Sequence, residues 1–191
     1  MTKLLLGLVL FLGMHGFTTL RGPRARLAAV LGEAGYKIAY SVVSVLGFYL
    51  IVSGFGAYRA GGMIPLWDPP LGLRHGVSLL MLPAMVLLVS AYAPAGFIKT
   101  RAKHPMLAAV KLWALSHLLA NGDLGSIVLF GAFLAWAVYA RISLKRREDA
   151  SAIVPAGWGM GDAIALVAGT ALWAAFMFGL HFWLIGVALI R

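Results

Sequence analysis

Five histidines are the residues of this chain best equipped for chemistry: His15, His75, His104, His117 and His181. The chain has no cysteine. Disulfides, iron–sulfur clusters, thiolate ligation and covalent c-type haem attachment are therefore excluded, and imidazole becomes the main candidate metal ligand. His117 lies in "KLWALSHLLANG", with Trp113 four residues before it and Asn121 four residues after it. That spacing puts the three on one helical face. A polar face within an apolar helix is expected to look into a bundle rather than toward lipid. His15 lies in "LLLGLVLFLGMHG" with no charge near it in sequence. Gly13 and Gly16 flank it and would admit a bulky partner at close range. For both histidines the rival reading is an interhelical hydrogen bond, which membrane bundles also use.

The other three have simpler explanations. His104 precedes Pro105, a residue suited to the first turn of a helix, so His104 is expected to cap or enter a helix at the membrane surface. Lys111, about two turns further on, shares its face and can extend back to the same surface. His75 is expected at the outer start of a membrane helix. His181 stands beside Trp183, with no second polar residue in its neighbourhood.

Of the 191 residues, 62% are hydrophobic and 12% charged, more apolar surface than a soluble domain of this size can hide, so the solvent is a bilayer. The fold class expected is all-α, a polytopic membrane helix bundle, forming a single integral-membrane domain over residues 1–191. Six apolar runs mark six transmembrane helices, at about residues 4–20, 36–56, 76–92, 105–120, 124–140 and 160–190. Pro83 should kink the third. The last run is longer than a span needs, and Ala171, Ala175 and Gly179 repeat on it at the four-residue spacing of close helix packing. The first run resembles a signal peptide but lacks a small-residue cleavage site and is followed by Arg21, Arg24 and Arg26, so a retained helix is expected.

The net charge of +10 is distributed in clusters between these runs. There is no nucleic-acid motif, so orientation and contact with anionic lipid account for the charge. The first connection holds Arg21, Arg24, Arg26 and Lys37, the third Lys99, Arg101 and Lys103, and the fifth Arg141, Lys145, Arg146 and Arg147. The second has Arg59 and Arg74 over a longer stretch with Trp67 expected at the outer interface, and the fourth is only "NGD". The positive-inside rule places the odd connections in the cytoplasm and both termini outside. In that topology the Cα atoms of His15 and His117 differ in depth by roughly 10 Å at 1.5 Å per residue. Helical side chains lean toward their own N-terminus, so the two rings approach one another, and a metal-centred ring between them would fill the gap.

Three blocks, "LLLGLVLFLGMHG", "LGEAGYKIAYSVVSVLGFYLIVSG" and "KHPMLAAVKLWALSHLLANGDLGSIVLFG", resemble the NnrU family in order and spacing. The family takes its name from bacterial denitrification loci, and its members are associated with nitrite and nitric oxide reduction. It includes the 15-cis-zeta-carotene isomerases, which use haem b and histidine ligands. The resemblance implies haem b held by His15 and His117 as axial ligands to the iron, with Trp113 and Asn121 beside the site. It also implies a place in the bacterial inner membrane, and as partners a lipid-soluble substrate or a membrane reductase. Cis–trans isomerisation of a carotenoid-like polyene is the alternative activity. The isomerases carry a cysteine three residues before the later histidine, where this chain has Ala114. A weaker resemblance is to the isoprenylcysteine and phospholipid methyltransferases, whose motif would fall on Lys103, His104, Pro105, Arg141 and Glu148, with Asp149 in place of a second glutamate.

Overall fold

The computed structural model describes residues 1–146 and 156–189. It is helical, with no strand among the described residues apart from one isolated bridge between Pro65 and Asp123. The helices are α1 (Thr2–Phe17), α2 (Arg21–Ala60), α3 (Leu71–Tyr92), α4 (Phe97–Ala102), α5 (Pro105–Ala120), α6 (Leu124–Lys145) and α7 (Met160–Ala175). A π-helical turn, Phe176–Leu180, carries α7 on into α8 (His181–Ile185). Four helices are long and apolar enough to cross a membrane: α2, α3, α6 and the run from α7 through α8. α1 and α5 have 16 residues each, about 24 Å at 1.5 Å per residue, which is short of the ~30 Å hydrocarbon layer. The fold is a polytopic membrane helix bundle in which length alone qualifies four of the six expected spans.

Two departures from the expected pattern lie in α2 and α4. The first connection is helical, not a loop: α2 begins at Arg21 and contains a break at Gly32 (φ 73°, ψ 158°). That φ is accessible without strain only to glycine. The turn between α3 and α5 contains the six-residue α4. Pro83 lies inside α3 without interrupting it.

The chain divides into two compact units. The first comprises residues 1–68 and 121–143, and the second residues 69–120 and 144–191. In the first, α1 and α2 pack almost backbone to backbone through glycines. A Cβ on Gly7 would stand 2.6 Å from the Ile51 nitrogen, one on Gly47 would stand 2.8 Å from the Phe11 nitrogen, and one on Gly54 would strike the backbone of Leu4. Lipid tails are as apolar as leucine, so close van der Waals contact between backbones is what holds such a pair. α6 closes the unit, with Phe133 on Phe11 and Phe130 on Phe55. At one end the Leu66 and Trp67 amides donate to the Gly122 carbonyl, and the Leu124 amide donates to Ile64. Asp123 then caps α6, accepting from the Ser126 amide (2.9 Å) and hydroxyl (2.6 Å).

In the second unit α3 packs against α5 and α7. The sequence pattern favoured Ala171, Ala175 and Gly179 as the packing stripe of the last helix. The structure leaves all three exposed. The buried stripe is Gly161, Asp162, Ala165 and Gly169, and a Cβ on Gly169 would stand 2.6 Å from the Val86 Cα of α3. Both stripes are small residues at helical spacing, and the partner surface on α3 selects between them.

Asp162 fixes the α4 turn. Its carboxylate, on a residue 2% exposed, accepts from the amides of Phe97 (3.0 Å), Ile98 (2.8 Å) and Gly159 (3.0 Å). One side chain thus satisfies donors at the starts of both α4 and α7, which otherwise have no intrahelical partner. Asp162→Ala is expected to strip three charge-assisted bonds and lower stability by on the order of 3 kcal/mol. Thermal unfolding in detergent should show the loss, and Asp162→Asn should retain part of the stability.

Candidate functional site

His15 occupies the last turn of α1. Its Nδ1 lies 2.6 Å from the Phe11 carbonyl oxygen. A carbonyl can only accept, so Nδ1 carries a proton, and in the neutral ring the lone pair is then on Nε2. Three aromatic rings surround the imidazole: Phe11 at 4.2 Å between centroids, Tyr40 of α2 at 5.3 Å, and Trp136 of α6 at 5.7 Å and perpendicular to it. The Trp136 Nε1 is buried and has no hydrogen-bond partner among the described residues. A Cβ added at Gly13 or at Gly16 would meet nothing within 4 Å, so neither glycine packs against a neighbouring helix, and both lie on other faces of α1 than His15. Thr18 and Thr19 hydroxyls donate to the carbonyls of His15 and Gly16, both at 2.7 Å, and close the end of the helix.

His117 repeats the arrangement in the second unit. It lies in the last turn of α5, and its Nδ1 is 2.8 Å from the Trp113 carbonyl four residues earlier. The same reasoning puts a proton on Nδ1. The Trp113 ring stands 5.2 Å away. Ala114 and Ser116 on the same helix are buried. Asn121, which helical spacing places on the His117 face, lies one residue beyond the end of α5 and belongs to the first unit.

The remaining histidines are held differently. His104 stands before the first residue of α5, and its carbonyl takes the Ala108 amide, as expected of a helix entry. Lys103 before it has φ 58° and ψ −47°, and the His104 amide reaches the Ala102 carbonyl at 2.6 Å. This is a γ-turn of the rare, strained hand. His75 is exposed on α3. His181 follows the π-helical turn and bonds through Nδ1 to the Val187 carbonyl at 2.8 Å, past the end of its own helix. Lys111 is half-buried. Of the methyltransferase-like motif, Glu148 and Asp149 lie outside the described residues, and His104 and Arg141 belong to different units.

Among the described residues there is no group of three or more His, Asp or Glu able to hold a metal ion by side chains alone. What the chain presents is single imidazoles fixed by their own helix backbone. The Tyr40 and Trp136 walls around His15 were not identifiable from sequence. Tyr36 and Tyr40 do repeat at helical spacing, but nothing in the sequence around Trp136 points to His15.

The chain belongs to the NnrU family: the family model, described as NnrU protein, matches residues 3–189, nearly the whole chain. No curated protein and no solved structure matches it.

The anchoring of both rings has a direct spectroscopic consequence. Nitrogen-15 spectra of histidine-labelled protein in the metal-free state should show a protonated Nδ1 at both His15 and His117. Detection of the Nε2–H tautomer at either position would contradict the hydrogen bonds described.

Proposed function

We propose that this NnrU family member is an integral membrane haem-b protein with His15 and His117 as axial ligands, serving the membrane chemistry of nitrite and nitric oxide reduction. The observation that carries the reading is the shared anchoring of the two rings. In each, Nδ1–H is tied to the carbonyl four residues earlier, which fixes the tautomer and the ring orientation. A metal-ligating histidine needs that arrangement, because the bond at one nitrogen sets the basicity and direction of the other.

The donor set fits the group. A porphyrin supplies four nitrogens itself, so the protein need provide only two single imidazoles. The aromatic rings of Phe11, Tyr40 and Trp136 around His15 suit a flat hydrophobic macrocycle. The orphaned Trp136 Nε1–H, which costs about 1–3 kcal/mol when left unpaired, is available to an acceptor on a bound group. Haem bound in this way supplies a one-electron redox centre. Trp113 and Trp136 shield their respective histidines from competing water. Polyene isomerisation is less well supported, because Ala114, fully buried one turn before His117, offers no thiol for a change of ligand.

The topology belongs to the same proposal. All six apolar helices cross the bacterial inner membrane, α1 and α5 by local thinning at their ends. Both termini face outward, as the alternation of basic clusters requires. Thiols introduced singly at Arg101 and Arg59 should be labelled from opposite sides of sealed vesicles. Labelling of both from one side would overturn the orientation.

The haem assignment is tested by the optical spectrum. Protein expressed with haem supplementation should show a Soret band and the sharp reduced α-band of low-spin b-type haem. His15→Ala and His117→Ala should each abolish the spectrum or convert it to high spin, since loss of one axial ligand leaves the iron five-coordinate. His75→Ala should leave it unchanged. Colourless, well-folded protein, or low-spin spectra retained in both ligand variants, would refute the assignment.

A further inference from the structure

The 40 residues of α2 would measure about 60 Å as a straight rod, twice the hydrocarbon thickness, so part of it must lie outside. The break at Gly32 decides which part. Arg24 and Tyr36 are twelve residues apart, about 18 Å along a straight helix. Yet the Arg24 guanidinium carbon lies 5.6 Å from the centre of the Tyr36 ring. Residues 21–31 therefore turn away from the axis of the rest of α2 at Gly32, and a cation–π contact spans the corner, with Leu31 close to Gly35 inside it. The packing of Leu4 on Gly54, of Phe11 on Gly47 and of His15 on Tyr40 sets the register of α1 on α2. In that register α1 ends near the level of Tyr40, and the corner at Gly32 with the arm before it lies beyond that level.

The short arm is amphipathic. At about 100° per residue, Pro23, Leu27, Val30 and Leu31 fall within an arc of roughly 100°, bordered by Arg24 on one side and Arg26 on the other. Arg21 lies further round on the polar side. Most of this apolar arc is not covered by the protein: Val30 is 81% exposed and Leu31 45%, while Leu27 is half-buried. All three arginines are exposed too, and Glu33 is the only acid near them in sequence. An apolar stripe with a guanidinium on each margin matches a layer that is hydrocarbon on one side and phosphate on the other.

We propose that residues 21–31 form an in-plane interfacial helix that seats Leu27, Val30 and Leu31 at the acyl–headgroup boundary and binds the phosphates of anionic phospholipids through Arg21 and Arg26. Gly32 is the corner that lets it leave the spanning direction. Phospholipid, rather than a protein, is the partner because the arc is short and flanked by cations on both sides, and the adjoining helix already enters the bilayer. This assignment is independent of haem.

The absence of native cysteine makes the test direct. Val30→Cys and Ala25→Cys, on opposite faces of the arm, are labelled with a nitroxide. The full-length protein is placed in vesicles of phosphatidylcholine, with and without phosphatidylglycerol. The label at position 30 should be relaxed by oxygen and protected from a water-soluble nickel chelate, and the label at position 25 should show the reverse. Phosphatidylglycerol should increase the contrast. Arg21→Gln and Arg26→Gln should each weaken the phosphatidylglycerol effect by on the order of five-fold, as about 1 kcal/mol per basic residue implies. Gly32→Ala, with unchanged helix content by circular dichroism, should expose position 30 to the chelate. Equal access of the chelate to both positions would overturn the proposal. So would protection of position 30 from both reagents, which would place a protein surface there, or indifference to phosphatidylglycerol.

Discussion

A helix that starts inside or beside a bilayer has backbone donors that water cannot reach, and the fold depends on how those donors are satisfied. The chain has only six acidic residues, and two of them are buried for this purpose. Asp123 caps α6 in the first unit, and Asp162 holds the starts of α4 and α7 in the second. A buried carboxylate is costly unless its lone pairs are used. Asp162 uses three backbone amides and Asp123 uses an amide and a hydroxyl. Each therefore replaces solvent at a point where the chain reverses. Glycine makes this possible around them: a side chain on Gly96 would collide with the Asp162 carboxylate, and one on Gly122 with the Trp67 carbonyl.

The parts of the fold legible in the sequence are those set by composition and local chemistry. Every apolar run became a helix, and Pro105 opens α5 as its fixed φ favours. The unread parts depend on partners distant in sequence. Asp162 looks like an ordinary acidic residue in a first helical turn until Phe97 and Ile98, more than sixty residues earlier, arrive at its oxygens. Gly179 and Gly169 belong to equally plausible small-residue stripes, and only Val86 distinguishes them. Gly32 is one of 23 glycines. Its role as a corner appears only once Arg24 is seen across the break from Tyr36.

The candidate site divides in the same way. His15 and His117 stood out because imidazole is expensive in an apolar helix, a cost sequence alone exposes. What sequence could not supply was the state of each ring. The structure gives both the same answer, a proton at Nδ1 committed to the helix backbone. That bond would also form in a purely structural histidine, and the surroundings argue further. A histidine kept only to join helices would direct Nε2 at a neighbouring polar atom. Around His15 stand three aromatic rings, and the indole N–H of one of them, Trp136, is itself unpaired among the described residues.

One buried donor without a partner among the described residues, the Trp136 Nε1–H, distinguishes these aromatic surroundings from a finished helix contact. The Trp136 N–H lacks an acceptor, and the imidazole does not supply one: the two rings stand perpendicular with centroids 5.7 Å apart, and no hydrogen bond joins them. Buried polar groups are nearly always paired, so each exception needs a physical reason. His15 is tied to its own helix through Nδ1 and walled by rings from α1, α2 and α6, while the Trp136 donor in that wall stays without an acceptor among the described residues.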